Sequence, residues 1–197
     1  MVRSEAETAL ADFLARVPGG RRLEVDLGCA KGVFVAGMAQ REPDTFFVGI
    51  ESQVHRVAST GKKIQRHELA NACVVRGECH LAVREWFAPA SVDVFHVSFP
   101  DPWPKRRHHL RRLVNPAFLA SVQRTLKPGG SLRLMTDDLP YFQAMNRAVA
   151  ACGGFAAIPW EDGRDYPQTE FQMRFEAQGL PIYRLALGFA ADARASS

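Results

Sequence analysis

The chain has 197 residues, is 47% hydrophobic and 23% charged, and carries a formal charge of +4, which describes a soluble globular protein with enough length for one substantial core. No apolar run reaches the roughly 18–20 residues that cross a bilayer, and Glu5, Glu7 and Asp12 argue against a secretory leader. Cys29, Cys73, Cys79 and Cys152 show no CxxC pairing, which argues for reduced thiols in a cytoplasmic protein and against a zinc site, so no metal is expected.

In chain order, residues 4–16 read as an amphipathic helix with Leu10, Phe13 and Leu14 inward, ended by Pro18-Gly19-Gly20. Residues 23–27 are a short strand, 28–32 a glycine-containing turn and 33–40 an apolar helix. Strands over 45–50, 72–75 and 92–97 alternate with helices over 52–69 and 80–87. A helix over 116–126 stops at Lys127-Pro128-Gly129-Gly130, before a strand over 131–135. A helix over 140–151 leads to strands at 155–159 and 182–187, across a polar stretch at 161–178. Such alternation predicts an α/β fold, a mostly parallel sheet with helices on both faces. With no repeat or linker, residues 1–197 read as a single domain: 1–20 form a helix and lead-in, and 190–197 a frayed tail.

Chemistry concentrates in Ser98-Phe-Pro-Asp-Pro-Trp-Pro-Lys-Arg-Arg-His-His-Leu-Arg-Arg-Leu113. Pro100, Pro102 and Pro104 fix their own φ and push the preceding residues towards extended backbone, presetting a rigid elbow around Asp101. Lys105, Arg106, Arg107, Arg111 and Arg112 follow with no acid among them, so the rest of the chain carries −1. One local basic patch of this kind is the footprint of phosphate contacts, the alternative being a solvated surface. Trp103 is either a stacking platform or a wedge holding the elbow.

A second concentration is the strand–turn–helix unit Asp26-Leu27-Gly28-Cys29-Ala30-Lys31-Gly32. Gly28 and Gly32 allow a ligand to approach the backbone where a strand feeds a helix. Asp26 before the turn suits a cation better than a pyrophosphate. Glu51, closing the second strand, can accept both hydroxyls of a ribose, and Glu78, after the third, can flank an adenine; the alternative is that these acids cap helices or turns. S-adenosyl-L-methionine, with ribose, adenine, ammonium and sulfonium, fits this set and brings no diphosphate to neutralise.

Together these residues resemble the bacterial tRNA (guanine-N7)-methyltransferase family. The resemblance spans about Leu23 to Leu187 and is strongest over Phe99–Leu113. It extends to Asp26–Gly32 followed by Phe34, Gly49-Ile50-Glu51, Leu126–Gly130, Thr136-Asp137 and Thr169–Phe175, then Gly179 and Pro181-Ile182-Tyr183. It implies a Rossmann-like class I methyltransferase with a seven-stranded sheet, which forms 7-methylguanosine in the tRNA variable loop. Family cofactor positions fall on Asp26, Glu51, Glu78 and Asp101, and substrate positions on Lys105, Asp137 and Thr169–Gln172. Three departures stand out: Ala30 where the family often has glycine, Glu78 where it has aspartate, and Thr-x-Phe-Gln ending at Gln172 where it has Thr-x-Tyr-Glu.

Guanine N7 has an in-plane lone pair and no proton, so it can attack a sulfonium methyl in line without an obligatory general base. On this reading Asp101 is the catalytic carboxylate, fixing the cofactor end and accepting hydrogen bonds from the base. Asp137 shares recognition of the Watson–Crick edge, or else serves the following helix as an N-terminal acid. The segment from Thr169 either closes over the substrate, its hydroxyl bonding base or cofactor, or is a plain amphipathic connection with Phe171 and Phe175 packed at helical spacing. Arg106, Arg107, Arg111 and Arg112 follow the tRNA backbone. The rivals are an enzyme of the same fold acting on another substrate, and an RNA-binding module without catalysis. A monomer or a homodimer is compatible with the sequence.

Overall fold

The computed structural model describes residues 4–189; the expected fraying of 190–197 falls outside the described residues. Parallel strands β1 (Arg22–Leu27), β2 (Thr45–Glu51), β3 (Ala72–Arg76), β4 (Val92–Ser98) and β5 (Leu126–Thr136) are joined by β6 (Phe155–Ile158) and β7 (Tyr183–Phe189). They form one seven-stranded sheet in the order β3-β2-β1-β4-β5-β7-β6, with β7 antiparallel to both of its neighbours. The expected mostly parallel α/β sheet is thus what the chain builds.

The helices are α1 (Glu5–Leu14), α2 (Val33–Arg41), α3 (Val54–Arg66), α4 (Cys79–Glu85), α5 (Pro116–Thr125), α6 (Leu139–Cys152) and α7 (Glu170–Ala177). Their starts are written locally. Ser4 and Glu7 form a capping box on α1, Asn115 caps α5 ahead of Pro116, and Asp138 caps α6 by accepting from the Tyr141 N–H at 2.6 Å. Because strand side chains alternate between faces, two clusters form. Val25, Leu27, Val48 and Ile50 join α1, α4, α5 and α6 on one face, while Phe47 packs with Phe34, Val35 and Met38 of α2 on the other.

Three segments differ from the sequence expectation. Lys127–Gly130 belongs to β5 as an irregularity: the pairing with β4 jumps from Val92↔Leu126 to Val94↔Ser131. Gly130 lies so close to the Asp93 carbonyl that a Cβ would stand 3.0 Å from it. The basic stretch winds into a 3-10 turn over Arg106–Arg111, and the polar stretch at 161–178 contains α7.

Strand order reverses between β1 and β4, opening a crevice beyond the carboxyl ends of the strands, where ligands bind in sheets of this kind.

Candidate cofactor and nucleic-acid site

The β1–α2 turn is held from several sides. Gly28 and Cys29 N–H groups donate to the Ile50 carbonyl at 2.8 and 3.1 Å, and Gly28, Ala30 and Gly32 all adopt positive φ. Gly32 is irreplaceable for a second reason: a Cβ there would lie 2.2 Å from Cγ2 of Thr60, whose hydroxyl donates to the Ala30 carbonyl at 3.2 Å. Alanine at position 30 therefore fits the turn but carries left-handed strain of about 1–2 kcal/mol.

Glu51 is 4% exposed and accepts from the Ala30 N–H at 3.0 Å and the Gln53 N–H at 2.9 Å, which fixes the direction of its carboxylate. Asp26 lies behind it. Burial, then the Glu51 charge, push the Asp26 carboxyl up to about 7. Glu78 closes the β3 edge as the α4 N-cap, taking the His80 and Leu81 N–H groups at 2.9 and 2.7 Å. It is thus both a cap and a wall residue.

The elbow after β4 is strained and braced. Phe99 and Trp103, flanking Asp101, have φ of 53° and 44°, a conformation sustained only where surroundings over-determine it. The bracing is visible. Phe99 N–H donates to the Met135 carbonyl at 2.7 Å, and its ring packs on Phe175 and Phe171 of α7. Arg112 Nε donates to the Pro102 carbonyl at 2.7 Å while its guanidinium lies over the Tyr141 ring. Trp103 meets His108 edge-on and Arg111 at 5.0 Å in a cation–π contact.

These parts enclose a cleft of 280 Å³ at the switch point, walled by Gly28, Glu51, Glu78, Asp101, Trp103 and Phe171 among others. Four of the six expected cofactor positions therefore meet on one wall. Asp26 stands behind that wall, and Gly32 packs against Thr60. Lys105 and Asp137 lie outside the cleft, and Asp138, not Asp137, caps α6. Lys105, Arg106 and Arg107 are exposed, and Arg111 reaches the cleft wall. Arg112 departs from its expected place on a polynucleotide: at 8% exposure it is drawn under the elbow by the Pro102 carbonyl and the Tyr141 ring. Thr169 departs too. Its hydroxyl oxygen caps α7, accepting the Gln172 N–H at 3.1 Å. Glu170, next in the chain, pairs with Lys31 of the β1–α2 turn at 3.0 Å.

A second cavity of 430 Å³ shares Ser98 with the first and is lined by Gln172. Its floor is a charge network the sequence reading missed. Fully buried Glu24 bonds His96 Nε2 and Arg164 at 2.8 Å each, and Arg164 also clasps Glu42 with two 2.7 Å bonds. Arg133 donates to the Trp160 carbonyl and to Asp162, and lies over the Trp160 and Tyr166 rings. Burial by itself raises Glu24, but His96, Arg164 and Arg22 outweigh it and hold the carboxyl at about 2; burial, outweighing the pull of Glu24, keeps His96 below its ordinary value. The signal was present: Glu24, His96 and Arg133 interrupt apolar central strands.

The sheet order and an acid-walled cleft at the switch point define a protein of the class I methyltransferase fold. A family model described as a putative methyltransferase matches residues 21–185. The solved 16S rRNA methyltransferase KamB superposes with a TM-score of 0.66 at 15% identity, covering 96% of this chain and 95% of that one, a likeness of fold. Among sequence relatives, the tRNA (guanine-N7)-methyltransferase of Limosilactobacillus fermentum is 34% identical over 173 residues, 85% of this chain and 80% of the relative. That of Levilactobacillus brevis is 32% identical over 191 residues, 94% of this chain and 88% of the relative. The chain belongs to the tRNA (guanine-N7)-methyltransferase family.

Proposed function

We propose that the chain is a cytoplasmic, single-domain, S-adenosyl-L-methionine-dependent enzyme, acting as a monomer or homodimer, that methylates guanine N7 in the variable loop of tRNA. The observation that carries this reading is the convergence of Gly28, Glu51, Glu78 and Asp101 on one cleft beside an exposed basic turn, in a member of this family.

The donor set fits the cofactor. Three carboxylates line the cleft against two arginines, Arg56 and Arg111, and a fourth carboxyl, Asp26, is buried behind it with no ion pair among the described residues. Such a wall favours a cation over a phosphate. Bound there, S-adenosylmethionine supplies an electrophilic methyl group on a positively charged sulfur. Glu51, its oxygens already aimed by Ala30 and Gln53, accepts the ribose hydroxyls with its remaining lone pairs. Glu78 flanks the adenine, Gly28 admits the amino-acid tail, and Asp26, buried behind the wall, acts on the tail's positive end through its charge alone.

Guanine N7 carries no proton, so no residue has to remove one. The work left to the protein is orientation and charge placement. Asp101 sits on a preset elbow, with no hydrogen-bond partner among the described residues, and accepts from the base while facing the charge that moves onto the purine. Reaching N7 requires the base to leave its stack, and Trp103 on the cleft wall offers a surface for it. Lys105, Arg106 and Arg107 contact tRNA phosphates, with Asp137 and Gln172 on the base side. Incubating the protein with unmodified tRNA and methyl-labelled cofactor, then digesting to nucleosides, is expected to yield 7-methylguanosine; label in another nucleoside, or none, refutes the proposal.

A further inference from the structure

Glu176, one helical turn beyond Gln172 on α7, collects two side-chain amides: Gln168 Nε2 at 2.9 Å on one oxygen and Gln172 Nε2 at 3.0 Å on the other. A carboxylate only accepts, so each amide must turn its NH2 towards Glu176 and its carbonyl oxygen away. Both glutamines line the 430 Å³ cavity and Glu176 does not, so each amide, with one N–H committed to the carboxylate, keeps its carbonyl oxygen on the side away from Glu176 together with its second N–H. Arg184, a third wall residue, reaches the same carboxylate at 3.5 Å and brings guanidinium donors. The wall therefore offers two acceptors beside a donor. The Watson–Crick edge of guanine has the complementary order: N2–H2 and N1–H donate and O6 accepts. Adenine presents a donor and an acceptor in a different order and does not match.

We propose that Glu176 is a positioning residue for base recognition, which orients Gln168 and Gln172 to accept from the guanine N2 and N1 hydrogens while Arg184 meets O6. The inference rests on guanine methylation as read above, and assigns the reading of the base to the cavity joined to the cofactor cleft at Ser98. Without Glu176 the two amides rotate freely and present nitrogen as readily as oxygen, so the cavity loses its preference without losing its shape.

The test uses the full chain with tRNA transcripts carrying guanine or inosine at the methylated position; inosine keeps N7, O6 and N1–H but lacks the N2 amino group. Wild type is expected to favour guanine by about tenfold in kcat/KM, on the order of one hydrogen bond. Glu176→Ala is expected to reduce that preference below about twofold with an unchanged melting temperature, since Glu176 is exposed. Gln172→Glu combined with Glu176→Ala is expected to restore it, because a carboxylate at 172 presents an acceptor in every rotation. A merely structural role for Glu176 lowers both substrates alike and is not repaired at 172; that result overturns the inference, as does a preference that survives Glu176→Ala. A wild-type chain that forms no 7-methylguanosine overturns the underlying reading and this inference with it.

Discussion

Glu24 and Asp26 stand two residues apart on β1, on the same face and both buried, yet one carboxyl is held at about 2 and the other at about 7. The partners make the difference. Glu24, under the second cavity, has His96, Arg164 and Arg22 around it. Asp26, behind the cofactor cleft, meets burial and the like charge of Glu51. One half of the site is neutralised internally and serves as foundation. The other keeps more carboxylates than it pairs, with Arg56 reaching Glu51 at 3.7 Å, which is how a fold prepares for a cation it does not itself contain.

The contrast can be broken at several points. Asp101→Ala is expected to have the largest effect, lowering methyl transfer by about 10²–10³-fold, the scale for losing a preorganised electrostatic group, with circular dichroism unchanged and cofactor affinity lowered by a smaller factor. Single-turnover rates with labelled cofactor measure it, and a rate within a few-fold of wild type removes Asp101 from the chemistry. Next is the foundation. Arg164→Leu leaves Glu24 buried with fewer partners and is expected to lower stability by about 2–4 kcal/mol in urea denaturation. The Glu24 carboxyl is depressed, so its stabilisation is present above its unfolded value near 4.5 and is lost as pH falls towards 2. The variant should accordingly unfold at higher pH than wild type.

Asp26 titrates in the opposite sense. Its folded value of about 7 lies above the unfolded 3.8, so its contribution is full below about pH 4 and is lost as pH rises through 7. Melting temperatures of the ligand-free protein are expected to fall between pH 5 and 8, and Asp26→Asn should flatten that fall; an equal slope in both contradicts the assignment. The smallest effect belongs to the exposed basic turn. Replacing Arg106 and Arg107 by Ala is expected to weaken tRNA binding a few-fold and to reduce the salt slope by about 1–2, in filter binding across a salt series.

Sequence and structure agree best where function is written locally. The Asp26–Gly32 turn, Glu51 at a strand end, Glu78 beside a helix start and the proline-set elbow all place their chemistry within a few residues of backbone that dictates its position. The other half depends on distant pairings. Arg164 reaches Glu24 across 140 residues and Glu42 across 122, and nothing in a local pattern announces such a clasp. Arg112 shows the same limit from the other side. Within a run of cations it is indistinguishable from its neighbours, and its burial follows from Tyr141 arriving beneath it from α6. Helix α7 was half legible: Phe171 and Phe175 stand at helical spacing and pack against the elbow, while the rest of it is polar.

The central claim, that an acid-walled cleft at the switch point holds the methyl donor, is tested most directly by titrating S-adenosylmethionine into wild type and Glu51→Ala by calorimetry. A single site is expected in wild type, weakened by at least about tenfold in the variant, since the ribose acceptors and the tether on Ala30 are lost together. Equal affinity in the two proteins, or no binding to either, contradicts the account.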